Sequence, residues 1–397
     1  MSGTADLDAP LLRALAPEVL SVLVRRVADF ATAEDAVQEA IAKALVAWQN
    51  TPPLDPKAWL ITAAWRSFID LARSQSSRRG RELRVAVEPE PGDVPSVDDT
   101  LRLYFLCANP VLSPASAVAL TLRAVGGLTT RQIAQAYLVP EATMAQRISR
   151  AKRAVAGVRF DQPGDLTTVM HVLYLMFNEG YSGDIDLAAE AIRLSRRLAD
   201  ATDDPEVAGL VALMLLHHAR RFARTRTGGA LVPLAEQDRG LWDVSLITEG
   251  VALLQKALAR DRLGPYQVQA AIAALHADAP SVDETDWVQI VEWYDELLRL
   301  ADGPVVRLNR AVAVGQADGA PAGLAALADV DEGVPRRSAV EAYLHERNGN
   351  LRVAARYYAE AARDAPNIPE RNHQTRQAAR VNQLLRTDGQ WTPGSSQ

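Results

Sequence analysis

The chain has 397 residues, which allows two or three domains, and 48% of them are hydrophobic, as in ordinary globular proteins. No run approaches the roughly 18 apolar residues of a membrane span. The N-terminus, MSGTADLDAP, lacks the basic-then-apolar pattern of a secretion signal. A single cysteine, Cys107, excludes an internal disulfide and a cysteine-based zinc site. We therefore expect a cytoplasmic protein without membrane contacts.

Charge is distributed unevenly along the chain. The net charge of −6 divides into +3 over residues 1–160 and −9 over residues 161–397, and all six histidines lie in the second part. A net negative chain argues against nucleic-acid binding as a whole, but a basic first part permits it there. The sequence thus predicts two different parts that join near residue 160.

Residues 1–80 show helical periodicity in three segments, at 10–30, 33–48 and from 56 to about 73. We expect Thr32 to cap the second helix, whose acidic first turn suits the helix dipole. Its predicted apolar stripe is Ala36, Val37, Ala40, Ile41, Ala44 and Leu45. Its predicted outer face is Glu34, Asp35, Gln38, Glu39 and Lys43.

The third segment combines aromatic residues with arginines and runs into the basic tail Arg78-Arg79. Aromatic rings can stack on bases while arginines hold phosphates, which is what single-stranded DNA requires. We expect Trp59 to be a core residue, whereas for Trp65 a core position and a base-stacking position are equally compatible with the pattern. Residues 81–104 follow, largely acidic and rich in Pro and Gly, and are predicted to be a linker. A helix resumes near Leu101.

Residues 128–153 predict a helix-turn-helix. Thr129 can cap a first short helix, with Gln132 closing a capping box, and Pro140 suits the first position of a second helix. In that second helix, residues at i, i+4, i+7 and i+11 form one apolar stripe: Met144, Ile148, Ala151 and Val155. Because its opposite face is polar and basic, we expect it to enter a DNA major groove. The alternative is an exposed helical hairpin whose basic face is incidental.

These motifs together resemble the extracytoplasmic-function (ECF) sigma factors of bacterial RNA polymerase. AEDAVQEAIAKAL at 33–45 looks like the helix of sigma domain two that docks on the polymerase clamp. WLITAAWRSFIDLARSQSSRR at 59–79 looks like the segment that contacts the promoter −10 element. LTTRQIAQAYLVPEATMAQRISRAKRAV at 128–155 looks like domain four, which reads the −35 element. The partners implied by this resemblance are core RNA polymerase and promoter DNA, as a −35 duplex and an opened −10 strand.

The resemblance also implies roles for individual residues. The residues implied in polymerase binding are Asp35, Gln38, Glu39 and Lys43. Those implied at the −10 element are Trp65, Arg66, Asp70, Arg73, Arg78 and Arg79. Those implied at the −35 element are Arg131, Glu141, Thr143, Gln146, Arg147, Arg150, Lys152 and Arg153. In a major groove, Arg can bridge the two acceptors of guanine and Gln can pair with adenine. Of the −35 set, Arg131, Lys152 and Arg153 are better suited to phosphates, which position the protein without specifying sequence.

Two features qualify the promoter assignment. In this family the linker passes toward the polymerase active centre, where its acidic residues would mimic nucleic acid; a merely solvated acidic linker explains them equally well. These linker acids are Glu88, Glu90, Asp93, Asp98 and Asp99. The chain has Arg66-Ser67 where an Arg-Asn pair is common, and Ala145 where many relatives carry lysine. Both departures leave the promoter sequence open.

The second part of the chain is helical in pattern and contains a weak repeat. Small and aromatic positions typical of a tetratricopeptide repeat (TPR) recur with an offset of 31 residues. They include Ala342, Ala354 and Tyr358 in one copy and Ala311, Gly323 and Leu327 in the other. The segments 171–183, 234–243, 264–277 and 303–314 resemble an ECF subgroup with a TPR-like C-terminal extension. That resemblance implies control through the extension, by a protein or intramolecular partner.

The sequence contains no pattern typical of catalysis. Adjacent His217 and His218 on a helix would point about 100° apart, which is unsuitable for chelating one metal. We find no nucleophile–base pattern, phosphate loop or metal-ligand spacing. We therefore predict no catalytic residue, no cofactor and no metal site.

The resulting prediction is an all-α protein with two small helical sigma domains, the second containing the helix-turn-helix, followed by a TPR-like helical repeat domain. The expected boundaries are 1–80 for sigma domain two, 81–104 for the linker, 105–160 for sigma domain four and 161–390 for the extension. Two alternatives are a one-component helix-turn-helix regulator with a C-terminal sensor and an interaction scaffold with an incidental basic hairpin. Residues 33–79 favour the sigma factor, because an operator-binding regulator needs neither a clamp helix nor a DNA-opening helix.

Overall fold

The computed structural model describes residues 8–27, 29–48, 53–79, 100–137, 139–156, 158, 165–179, 181–182, 185–225, 230–365 and 368–388. Over these ranges the protein is all-α, with eighteen helices and one hairpin of two-residue strands. It divides into two compact units, residues 1–202 and residues 203–397. Within the described ranges, every helix is too short or too polar to cross a bilayer.

The first unit contains nine helices in the described residues. They are α1 (Asp8–Arg26), α2 (Phe30–Ala47), α3 (Pro56–Arg79), α4 (Thr100–Cys107), α5 (Pro114–Ala124), α6 (Thr130–Ala136), α7 (Glu141–Ala154), α8 (Leu166–Glu179) and α9 (Leu187–Thr202). A short antiparallel hairpin, β1 (Tyr181–Ser182) and β2 (Ile185–Asp186), lies between α8 and α9.

Helix α2 begins earlier than the sequence pattern indicated, and its cap differs. Asp29 is the N-cap, and its carboxylate accepts hydrogen bonds from the backbone N of Thr32 at 3.1 Å and from the Thr32 hydroxyl at 2.6 Å. The prediction that Thr32 caps this helix was therefore wrong. Aspartate at the N-cap satisfies an orphan backbone donor with a charged acceptor, so the helix gains three residues at its start.

The linker is shorter than predicted at its C-terminal end. Residues 100–104 belong to α4, where Leu103 and Tyr104 are buried. The acidic linker residues, Glu88 to Asp99, lie outside the described residues. The prediction that they mimic nucleic acid therefore stays a prediction.

The boundary between the two compact units differs from the predicted change near residue 160. Helices α8 and α9 belong to the first unit, where Leu173 and Leu194 are fully buried. The Tyr104 hydroxyl donates to the Leu194 carbonyl at 2.9 Å, and Arg13 forms an ion pair with buried Glu190 at 2.7 Å. The apolar faces of α8 and α9 thus complete the core of the unit that contains the helix-turn-helix.

The second unit consists of helices that pack mainly against their neighbours in sequence. They are α10 (Pro205–His218), α11 (Val244–Leu258), α12 (Pro265–Asp278), α13 (Trp287–Leu300), α14 (Pro304–Ala317), α15 (Ala320–Leu327), α16 (Arg337–Arg347), α17 (Leu351–Asp364) and α18 (Ile368–Asp388). Three 3-10 turns, Arg221–Ala223, Leu234–Glu236 and Arg239–Leu241, lie between α10 and α11. The repeat positions Ala311, Leu327, Ala342, Ala354 and Tyr358 are all buried.

Gly323 permits the close approach of α14 and α15. A Cβ added there would lie 2.7 Å from the Gly315 Cα and 2.9 Å from the Ala311 carbonyl oxygen, and both are backbone atoms. We expect Gly323→Ala to lower the free energy of unfolding of the second unit by about 1–3 kcal/mol, because overpacking outweighs the better helix propensity of alanine. Urea unfolding checks this, with Gly333→Ala as control, since a Cβ at Gly333 meets nothing within 4 Å. Equal midpoints for the two variants would contradict the prediction.

Candidate functional site

The helix-turn-helix forms as the local sequence predicts. The Thr129 side chain accepts from the Gln132 backbone N at 3.2 Å, and the Thr129 backbone N donates to Gln132 Oε1 at 2.9 Å, so the capping box is confirmed. Pro140 is the N-cap of α7 rather than its first helical residue. The predicted apolar stripe of α7 is also confirmed. Its members, all at most 4% exposed, are Met144, Ile148, Ala151 and Val155.

The opposite face of α7 presents most of the residues predicted at the −35 element. Exposed positions on α7 are Glu141, Thr143, Gln146, Arg150 and Arg153, and Arg147 is partly exposed. Arg131, on α6, is exposed as well and forms an ion pair with Glu141 at 3.3 Å. A groove-sized helix with polar and cationic side chains on one accessible face can contact base edges and phosphates together.

Lys152 is the exception on α7, because it is buried beneath that surface. Only 8% of it is exposed, and its Nζ lies 2.6 Å from Asp35 Oδ1 and also forms an ion pair with Glu34. The prediction that Lys152 contacts DNA phosphates is therefore not met in this conformation. The reason is electrostatic: Glu34 is a fully buried carboxylate that needs cationic partners.

Glu34 is the centre of a buried charge cluster that joins α2, α5 and α7. Its Oε1 accepts from Arg123 Nε at 2.7 Å, and its second oxygen faces Lys152. The Arg123 guanidinium also donates to the Leu128 carbonyl at 3.1 Å, at the turn before the helix-turn-helix. Glu34 was predicted on the outer face of α2 and is instead 0% exposed. The pKa of the Cys107 thiol is raised, mainly because Cys107 is buried and also because Glu34 is negatively charged. Both effects disfavour the thiolate.

The residues predicted to bind polymerase lie along the remaining outer edge of α2. Asp35 has an exposed side chain, as do Glu39 and Lys43, which form an ion pair at 2.8 Å. Gln38 is partly exposed. Lys43 Nζ also lies 2.9 Å from Ser67 Oγ of α3, so α2 and α3 are tied together beneath this edge.

Apolar side chains accompany this polar edge, which the sequence did not predict. Leu45 and Val46 are 47% and 70% exposed, although the helical period placed Leu45 in the core. Ile41, also assigned to the stripe, is only partly buried. A cavity of about 490 Å³ adjoins them, lined in part by Gln38, Ile41 and Leu45. Exposed leucine and valine beside charged residues give this edge a mixed apolar and charged surface, as protein interfaces have.

Helix α3 presents Arg66, Asp70 and Arg73 on one exposed face at i, i+4 and i+7. Trp65 is 4% exposed, and its ring lies 5.9 Å from that of Phe68. Of the two alternatives left open for Trp65, the structure shows the core position, and a buried ring is not available for base stacking. Burial of its indole in the core of α1–α3 explains this outcome.

Two further expectations concern α3. Trp59 is partly buried and contacts Trp48 edge-on at 5.3 Å. Arg78 and Arg79 fall within α3, but their side chains lie outside what the structure describes. Their predicted DNA contacts therefore stay predictions.

Family models match three successive segments of the chain. Sigma-70 region 2 matches residues 11–78 and sigma-70 region 4 matches residues 102–155. A family of unknown function, DUF6596, matches residues 165–258. The first two matches coincide with α1–α3 and with α4–α7, the helices that present the surfaces described above.

A curated relative extends over nearly the whole chain. An uncharacterised protein of Rhizobium meliloti (strain 1021) is 43% identical over 380 residues, which is 88% of each chain. The chain belongs to the same family as this protein. It contains sigma-70 region 2 and region 4 domains followed by a DUF6596 domain.

A more distant relative is named as a probable sigma factor. The probable ECF RNA polymerase sigma factor SigI of Mycobacterium tuberculosis, in two strains, is 29% identical over 196 residues, covering 42% of this chain and 66% of SigI. No solved structure matches the chain significantly. The domain matches and SigI together support a sigma-factor role in transcription initiation and DNA binding.

Proposed function

We propose that this protein is an ECF-type sigma factor that directs core RNA polymerase to promoters, and that its TPR-like helical extension regulates it. The proposal is supported by agreement between the domain matches and the exposed residues. Regions 2 and 4 match in the expected order, and the helices they cover expose most of the polar residues expected to bind polymerase and DNA.

Docking on polymerase is assigned to the outer edge of α2. Asp35, Gln38 and Glu39 supply polar contacts there, and Leu45 and Val46 add exposed apolar surface beside them. An apolar centre with a charged rim suits association with a protein partner, since the apolar part supplies affinity and the charges supply orientation.

Promoter contacts are assigned to α3 and α7. On α3, Arg66, Asp70 and Arg73 face solvent where an opened −10 strand would pass. On α7, Arg147, Arg150 and Gln146 would enter or flank the −35 major groove, with Arg131 and Arg153 on phosphates.

In the first unit, a residue expected to bind polymerase forms an ion pair with one expected to bind DNA. The two residues are Asp35 and Lys152. Each contact with an outside partner therefore competes with this ion pair. We expect α2 to separate from α7 when the protein binds polymerase and promoter, because only then does Lys152 reach solvent.

Run-off transcription with core polymerase on the DNA upstream of this protein's own gene tests the proposal. We expect transcripts with the full chain and their loss in the double variant Asp35→Ala/Glu39→Ala, because two charged contacts with polymerase disappear. The matched control is Asp331→Ala/Glu332→Ala, two exposed acids of the second unit, which should transcribe like the unmodified protein.

Two outcomes would overturn the sigma-factor proposal. One is a specific duplex footprint without polymerase, together with no binding to core polymerase, which favours a one-component regulator. The other is DNA binding that is nonspecific and weakly dependent on salt, since phosphate-dominated binding by this arginine face should fall steeply with salt.

A further inference from the structure

The second unit contains a cavity of about 430 Å³ that the sigma-factor role does not use. Trp287, Tyr294, Val312 and Val340 form apolar walls, and the segment 233–239 closes one side. Small-molecule sites are typically cavities of this size, mostly apolar with a few converging polar groups. Two polar side chains that line it, Arg239 and Gln374, have atoms without a hydrogen-bond partner among the described residues.

Arg239 is the first of these groups. Its Nη1 donates to the His276 carbonyl at 2.7 Å, and its guanidinium lies 4.4 Å from the Trp242 ring centroid. Its Nη2 is buried and has no hydrogen-bond partner among the described residues. Arg239 as a whole is partly exposed, but a buried donor atom without a partner is costly, so an acceptor from outside the chain would stabilise it.

The surroundings of Arg239 are cationic. The Arg220 guanidinium lies 5.8 Å from the same Trp242 ring. Burial, together with the charges of Arg224 and Arg239, lowers the pKa of Arg220 to about 10. Burial, together with Arg220 and Arg239, lowers the pKa of His276 to about 4. Burial is the largest cause of both pKa shifts, and the charges of neighbouring arginines add to it. Several cationic side chains close together favour a bound anion.

Neighbouring acids do not neutralise this cluster in the described structure. Asp238 accepts from the Gly240 backbone N at 2.9 Å, and Asp243 caps α11 and faces Arg221 at 3.7 Å. At the far wall of the cavity, Arg336 and Glu370 form a two-pronged ion pair at 2.9 and 3.1 Å, so their charges cancel each other.

Gln374 is the second group with an unpaired atom. It lies on α18, lines the same cavity and is 9% exposed, and its Oε1 is buried with no hydrogen-bond partner in the described structure. An amide oxygen accepts hydrogen bonds only. The cavity therefore offers a cationic donor on one wall, an acceptor on another and aromatic surface between.

We propose that this cavity binds a small organic carboxylate with an apolar or aromatic body, its carboxylate on Arg239 and a donor group on Gln374. A carboxylate matches the single unpaired guanidinium nitrogen, and the body would cover Trp287 and Tyr294. The site uses no residue assigned to promoter recognition. Since the extension is proposed to regulate the protein, a small molecule bound there would be its signal.

The test uses the full-length protein and three probes, each paired with its neutral amide. Phenylacetate and octanoate lack the donor group, whereas the hydroxyl of 4-hydroxyphenylacetate supplies it, so we expect this third probe to bind most tightly. Titration calorimetry and saturation-transfer NMR should detect binding of at least one carboxylate. We expect that carboxylate to bind about tenfold or more weakly to Arg239→Gln, since a hydrogen bond to a charged group is lost. Arg299→Gln, an exposed arginine of α13 paired with Glu296, is the control and should bind normally.

Four outcomes would overturn the proposal: no carboxylate binds, the amides bind equally well, Arg239→Gln binds normally, or inorganic phosphate competes as well as the carboxylates. If Arg239→Gln does not fold, a diazirine analogue of the bound carboxylate decides instead. It should label peptides of α13 and α14 in the unmodified protein, and labelling elsewhere alone would equally overturn the proposal.

Discussion

Replacing Glu34 with alanine is expected to lower the free energy of unfolding of the first unit by about 3–5 kcal/mol. Glu34 is fully buried and is the carboxylate shared by Arg123 and Lys152, whose side chains are only 12% and 10% exposed. Its removal leaves Arg123 without a carboxylate partner in a desolvated site and leaves Lys152 with Asp35 alone. Breaking such a cluster from one side costs more than the cluster itself contributes.

Asp35→Ala is the matched control, because Asp35 contacts the same lysine from a side chain that is 58% exposed. Exposed ion pairs contribute at most about 1 kcal/mol, so we expect a small effect there. Hydrogen exchange of amides in α2, α5 and α7 over a urea series measures the first unit separately from the second. Similar, small effects for both variants would mean that the buried cluster does not form in solution.

The cluster also illustrates why part of the site could not be predicted from sequence. Glu34 and Asp35 are adjacent, and both fit the polar edge of α2. Which one is buried is decided by Arg123, 89 residues further along the chain, and by Lys152. Helical periodicity locates the buried face of a helix only to within about one position. Nothing in the neighbouring sequence shows that an acidic residue at the edge of that face is buried.

The helix-turn-helix was predictable for the opposite reason. The capping box of Thr129 with Gln132 and the stripe from Met144 to Val155 involve residues within a few turns of each other. Such local patterns specify helix ends and faces without knowledge of the rest of the fold. Sequence order then brings α6 and α7 together.

Trp65 and the boundary near residue 160 depended on distant packing. The pattern left Trp65 open between two roles, and only the association of α1–α3 places its indole in the core. The net charge does change near residue 160, but α8 packs on α4 and α5, α9 packs on α8, and both helices belong to the first unit. Charge describes surfaces, whereas unit boundaries follow buried apolar faces.

The cavity of the second unit likewise could not be predicted from the sequence. Arg239, His276 and Gln374 come from three separate segments, and none belongs to a recognised motif. The sequence singled out His217 and His218 as a pair unsuited to a metal, which says nothing about an anion. Burial lowers the pKa of His217 to about 3, with Arg220 and Arg224 adding to the shift, so this histidine is neutral near pH 7.

The second large effect is expected on the DNA-facing side of α7. Arg147→Ala should weaken binding to the preferred −35 duplex by about ten- to hundredfold and should relax discrimination at one base pair, because a good bidentate arginine–guanine contact contributes about 1–3 kcal/mol of specificity. Arg153→Ala should instead weaken binding to all duplexes by a similar factor, since phosphate contacts carry no sequence information.

The two variants form a matched pair: the same residue type is removed from the same helix, with Arg147 partly exposed and Arg153 exposed. Fluorescence anisotropy of the polymerase complex on −35 duplexes with single base changes, measured across salt concentrations, separates them. Arg153→Ala should reduce the slope of log affinity against log salt by about one, whereas Arg147→Ala should change the ranking of sequences. If both variants lose affinity uniformly and keep the sequence ranking, Arg147 holds a phosphate, and base recognition must come from Gln146, Arg150 or Thr143 on the same face.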